Sequence, residues 1–277
     1  MTQKRDSRYG LVTAPLLAGV ERLWANREQV VNGTLITPVC WFGPDGLDGV
    51  VKTWTCRITG AVCSLAGSGS EPDFNVPAPH LSDNALDCNA GKYLQSNESG
   101  CGDVSVEDMI LLVASRGHSG GGRIVGKLNN SPLQGWLHFQ TGSQQYILLY
   151  SGGAPGGSVG APAIGDSYGL SIFTVNRDEA STNGAIHYAN GVAGAGVNLS
   201  GVGTITCPSH YLQIGAGLGA LPYSAPIGLV ALYKASDLFS SGATGKNEMD
   251  ALAKVLTSLF FGTTARHNHA SLTPESF

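Results

Sequence analysis

Apolar residues along this chain recur with a period of two or in short unbroken runs, bounded by Gly, Asn, Asp and Ser. That pattern predicts many short strands. Leu170, Ile172 and Thr174 share one face of an extended run, and Phe173 and Val175 take the other, so both faces are expected to be buried. A polar insert, NRDEASTNG, leads to a second run, GAIHYANGV, which ends in Asn190-Gly191. Asn-Gly between apolar runs marks a hairpin, because both turn positions need positive φ. Residues 211–215 and 226–233 read as two more strands.

Earlier in the chain, Val50 to Leu65 reads as two strands around Thr59-Gly60. Residues 85–88 and 92–95 form a candidate pair. Val104 to Ser115 is continuously apolar from Met109 to Ala114, as expected of a central strand. Arg123 to Lys127, Gly135 to Thr141 and Gln145 to Tyr150 predict three more. Ser151 to Gly165, SGGAPGGSVGAPAIG, reads as a long surface loop.

A helical period replaces the strand period at the two ends. Thr13 can cap and Pro15 suits a first turn; Leu16, Leu17, Val20, Leu23, Trp24 and Val31 then follow helical spacing to a stop at Asn32-Gly33. Residues 1–49 are therefore expected to form an arm outside the sandwich. The arm packs either on its own domain or, through Leu16, Leu17, Val20, Leu23 and Trp24, on another subunit. Near the other end Asn247 is expected to cap a helix. Met249, Leu252, Val255, Leu256, Leu259 and Phe260 form its apolar face, and Gly262 closes it. Residues 50–262 would then be the main domain and 263–277 an extended tail.

The order of three motifs carries a resemblance. His187-Tyr188-Ala189-Asn190-Gly191, Leu212-Gln213-Ile214-Gly215 and Ile227-Gly228-Leu229-Val230-Ala231-Leu232-Tyr233 resemble the hairpin, strand and closing strand of the laminin-G-like branch of the concanavalin A-like jelly rolls. The resemblance runs from about Trp54 to about Phe261. It implies an all-β, two-sheet antiparallel jelly-roll sandwich, carrying the N-terminal arm with its short helix and the C-terminal helix. Similar jelly rolls recur in tailed-phage virion proteins.

Composition narrows the classes. Charged residues make up only 13% and Gly occupies 39 positions, which suits short strands joined by tight turns. A net charge of -4 argues against a nucleic-acid surface. No run approaches the roughly 18 apolar residues of a membrane helix, and the basic start lacks the apolar core of a signal peptide. The cysteines, Cys40, Cys56, Cys63, Cys88, Cys101 and Cys207, include no C-x-x-C pair. Their even number permits three disulfides, but without an export signal they are expected to be buried thiols.

Candidate chemistry is sparse. Glycoside hydrolysis needs paired carboxylates facing one groove. Glu71 and Asp73 lie in a Pro-rich stretch and Glu248 and Asp250 on the predicted helix, so neither pair meets that need. Residues 117–121, GHSGG, look like a serine-protease loop without its Asp or a partner His, and read better as a Gly-rich turn. Asp166, Asp178 and Asn190 are the residues by which such a fold would hold calcium; they are equally ordinary turn formers. No catalytic residue and no cofactor are expected. The expectation is a non-enzymatic structural protein of a virus particle, assembling with copies of itself and other virion proteins and touching host-surface glycan. The alternatives are a glycan-binding lectin module, with aromatics such as Trp136 or Tyr223 on an open face, and a glycoside hydrolase.

Overall fold

The computed structural model describes residues 29–267 apart from 32–33, 37, 78–83, 90, 118–119, 143, 153–154, 163–167, 178 and 218–220. A hairpin comes first, β1 (Gln29–Val31) with β2 (Thr34–Ile36). β3 (Pro38–Phe42), β4 (Leu47–Asp48), β5 (Thr53–Thr55), β6 (Val62–Ala66), β7 (Asp73–Pro77), β8 (Asn84–Asp87) and β9 (Tyr93–Ser96) follow. The long strands are β10 (Asp108–Arg116), β11 (Gly122–Asn130), β12 (Leu133–Thr141), β13 (Gln144–Ser151), β14 (Pro155–Pro162) and β15 (Tyr168–Val175). β16 (Ala185–Ala189), β17 (Val192–Ala193), β18 (Gln213–Ile214), β19 (Ile227–Ala235) and α1 (Gly242–His267) complete the order.

Two antiparallel sheets face each other. One has eight strands in the order β17-β16-β15-β10-β19-β8-β7, with β3 also paired to β19. The other has nine, in the order β14-β13-β12-β11-β18-β9-β6-β5-β4. Met109, Leu111, Val113, Phe173, Val175 and Leu232 meet Trp54, Leu94, Val125, Trp136, Ile147 and Leu149 in the core between them. The opposite face of β10, β15 and β19 is covered by α1. Ile110, Leu112, Leu170, Ile172 and Ala231 pack there with Met249, Leu252, Leu256 and Phe260. Burying each large aliphatic side chain contributes roughly 1.5–3 kcal/mol. This double coverage is why β10 and β15 read as near-continuous apolar runs.

The sandwich agrees with the sequence reading, including the Asn190-Gly191 turn, where φ is 51° and 80°. Gly228 falls at a break in register: Ala114 pairs with Leu229 and Ser115 with Ile227.

Five expectations are corrected. Residues 38–48 are not part of an arm: β3 pairs along the closing strand β19, and Cys40 and Phe42 are in the core. Val31 is in a strand, not a helix. The stretch read as a surface loop contains β14, an edge strand held by its register with β13, where Pro at the ends and Gly inside are tolerated. β8 and β9 are not a hairpin, because they belong to opposite sheets. The helix begins at Gly242, so Asn247 is interior, and it runs through Gly262 to His267. One Gly costs about 1 kcal/mol in a helix and does not by itself end it. Leu16, Leu17, Val20, Leu23 and Trp24 lie outside the described residues.

Candidate functional site

Among the described residues, no helix covers the outer face of the nine-stranded sheet. Strand alternation decides which side chains reach it. On β12, Trp136, His138 and Gln140 turn into the sandwich, while Leu137 and Phe139 turn out. On β13, Gln145, Ile147 and Leu149 turn in, while Tyr146, Leu148 and Tyr150 turn out. On β11 the same parity would send Arg123 inward with Val125 and Lys127. The register instead shifts between Arg123 and Val125, and Ile124 and Val125 are both fully buried. This bulge re-aims Arg123 onto the outer face.

The result is a cross-strand row. Arg123 pairs with Phe139, Phe139 with Tyr146 and Tyr146 with Gly160. The rings of Phe139 and Tyr146 stack, with centroids 5.2 Å apart and planes 20° apart. A Cβ on Gly160 would come within 2.7 Å of the Tyr146 ring, so glycine there gives the ring its place. The adjacent row runs from Leu148 through Leu137 and Gly126 to Gln213 and Gln95.

A cavity of about 550 Å³ opens beside the first row, lined by Arg123, Leu137, Phe139, Leu148, Tyr150 and Leu221 and closed at one end by Gly120–Gly122. Arg123 is held from both ends. Its Nη1 donates to the Gly217 carbonyl, and its backbone N–H donates to the Leu221 carbonyl at 2.9 Å. Burial pushes the Arg123 pKa down from its ordinary value, and Tyr150 beside it acts the other way. Burial raises the Tyr150 hydroxyl, with Arg123 opposing. At the rim Leu221 is 64% exposed and has φ of 48°, a left-handed conformation that costs a leucine energy. A second cavity, of about 260 Å³, lies on the same face between Gln95, Leu128, Asn130, Tyr211 and Gln213. There Gln213 Nε2 donates to Gln95 Oε1 at 3.1 Å.

The aromatics expected on an open face are interior. Trp136 is 1% exposed and its indole N–H donates to the Gly102 carbonyl at 3.0 Å. The Tyr223 hydroxyl donates to the Arg116 carbonyl at 2.6 Å and lies 2.9 Å from Gln140 Oε1. Alternation along β12 points Trp136 inward, and both residues satisfy their polar atom inside. The carboxylates have structural partners and do not converge. Glu71 lies 3.8 Å from Lys92, and Asp73 accepts the Asn75 N–H. Glu248 accepts from Ser240, and Asp250 from Tyr188 and Lys246. Asn190 Oδ1 accepts the Leu170 N–H at 2.9 Å, as a turn former does. Asp166, Asp178, His118 and Ser119 lie outside the described residues. Among the described residues no group of three His, Cys, Asp or Glu is placed to hold a metal.

Solved structures share this fold. The botulinum neurotoxin serotype G binding domain superposes with a TM-score of 0.55 at 11% identity, over 78% of this chain and 50% of that one. The serotype D ligand binding domain, solved in complex with N-acetylneuraminic acid, gives 0.54 at 8% identity over 87% and 52%. Domain 4 of AbnA, a GH43 extracellular arabinanase from Geobacillus stearothermophilus in complex with arabinotriose, gives 0.51 at 13% identity over 79% and 98%. The chain thus spans about half the length of the neurotoxin domains and nearly all of the arabinanase domain. At these identities the likeness is one of fold. No family model matches the sequence, and no curated protein matches it.

Proposed function

We propose that the chain is a carbohydrate-binding module and that the outer face of the nine-stranded sheet is its ligand surface. The observation that carries this reading is the Arg123–Phe139–Tyr146 row beside a cavity of about 550 Å³. Apolar faces of sugar rings pack on aromatic rings, while amides and hydroxyls orient their OH groups, and the cavity has the size and mixed lining of small-ligand sites. Phe139, Tyr146 and Tyr150 supply the rings; Gln95 and Gln213 supply amides on the same face. Among the described residues no carboxylate lines either cavity, and binding is proposed to proceed without hydrolysis and without a metal. Two proteins that share the fold were solved with saccharides bound, which supports the reading without carrying it. A virus-particle protein touching host-surface glycan would use this same face, so the setting expected from the motif order is compatible with it.

The test is retention of the full chain on a panel of immobilised saccharides, with and without EDTA, beside Phe139→Ala and Tyr150→Ala. The expected result is retention that survives EDTA and falls about tenfold or more in each variant. Retention unchanged in both variants would remove the face from the account.

A further inference from the structure

We propose that the cavity at Arg123 takes a carboxylate-bearing sugar residue, so that this module selects acidic glycans over neutral ones. The inference rests on the carbohydrate-binding reading and adds the charge of the ligand.

Among the described residues Arg123 is the one charged residue lining the cavity, in a chain whose net charge is -4. The β-bulge that brings it to this face interrupts an otherwise regular pairing of β11 with β12. Once there, it finds no acidic partner among the described residues, whose ion pairs are Arg57–Asp45, Lys92–Glu71, Lys127–Asp103, Lys234–Glu107 and Lys246–Asp250. A half-buried guanidinium loses hydration without a compensating anion, and that imbalance favours an anion arriving from outside.

The side chain is also pre-organised. Nη1 is engaged by the Gly217 carbonyl, and a Cβ at Gly217 would crowd Arg123 Cδ at 3.0 Å, so glycine lets the arginine lie against that backbone. The remaining edge of the fork, Nε and Nη2, matches the two oxygens of a carboxylate. Phe139 and Leu148 flank the position as an apolar platform, and Tyr150 adds a hydroxyl. Leu221, strained at the rim, narrows the opening. A carboxylate on a ring that packs against Phe139 meets both requirements at once. A neutral sugar would meet only the second.

The experiment uses the full chain on an array of sialylated, uronate-terminated, sulfated and neutral oligosaccharides. The strongest carboxylated binder is then measured by calorimetry beside its methyl ester. The proposal predicts a carboxylated set, affinity falling about tenfold or more on esterification, and weakening as salt rises. Arg123→Met should lose the acid preference, and Arg123→Lys should keep only part of it, at unchanged melting temperature. Should Arg123→Met fail to fold, the ester comparison on the unaltered chain decides. Binding confined to neutral or sulfated glycans, or equal binding of acid and ester, overturns the carboxylate selectivity and leaves the carbohydrate reading standing. An array on which nothing binds overturns both.

Discussion

The imidazole of His187 lies flat on the ring of Phe173, with centroids 3.9 Å apart and planes 17° apart, in the core between the two sheets. His138 meets the same phenylalanine edge-on at 4.6 Å. Both histidines are fully buried, and no ring nitrogen of either has a direct hydrogen-bond partner among the described residues. Gln145 is the polar neighbour of both, joined to Gln140 and Ser171, so the groups facing the pair are amides and a hydroxyl.

This arrangement makes the sandwich acid-sensitive. Burial lowers the His138 pKa to about 3 and holds His187 well below its ordinary value. The unfolded chain takes up protons near pH 6.5, whereas the folded chain refuses them until much lower pH. Stability is therefore complete above about pH 6.5 and falls as pH drops below it. Between pH 7.5 and 5 His138 should cost about 2 kcal/mol, and His187 adds to the loss in the same direction. Urea unfolding across that range should show the loss, and His138→Leu should remove the His138 share of it, about 2 kcal/mol. A flat profile would mean that the imidazoles carry protons in the folded state.

Asp108 ties the core strand β10 to the approach to α1. Its carboxylate accepts the backbone N–H of Arg177 at 2.7 Å, of Leu238 at 2.8 Å and of Phe239 at 3.4 Å. Asp108→Ala leaves buried donors unmet at 1–3 kcal/mol each, so a loss of about 3 kcal/mol is expected by chemical denaturation. Asp108→Asn should cost less, because one oxygen remains.

All six cysteines are buried and unbridged. The Cys40 contact and burial push the Cys101 thiol up while the Cys56 contact opposes them, the Cys101 contact and burial push the Cys56 thiol up, and burial does so foremost for Cys63, Cys88 and Cys207. Since the thiolate is the reactive form, a thiol reagent should titrate fewer than about one cysteine in the native protein. In denaturant it should titrate the full 6.

Leu221 should separate stability from binding. Leu221→Gly relieves its positive φ and removes an exposed side chain, so the melting temperature should hold or rise. Saccharide retention should fall, because the cavity loses part of its rim. A lower melting temperature with unchanged retention would mark Leu221 as structural.

The long central strands were legible because both faces of β10 and β15 are buried, which leaves continuous apolar runs. The hairpin at Asn190-Gly191 and the face of α1 at Met249, Leu252 and Leu256 announced themselves by turn chemistry and period. β14 did not, because PGGSVGAP has little strand propensity and is held by pairing with β13. β3 was hidden by its partner, β19, nearly two hundred residues away. Arg123 was invisible as a site residue because one bulge reverses the parity that alternation predicts. The only hint at that end was the glycine run before it, since Gly121 and Gly122 both take positive φ where β11 starts.

The most direct measurement of the central claim is amide chemical-shift mapping of the full chain titrated with a saccharide it retains. The account predicts perturbations concentrated at Arg123, Leu137, Phe139, Tyr146, Leu148 and Tyr150 on the outer face of the nine-stranded sheet. Perturbations confined to α1 or to β15–β17 of the eight-stranded sheet would contradict it.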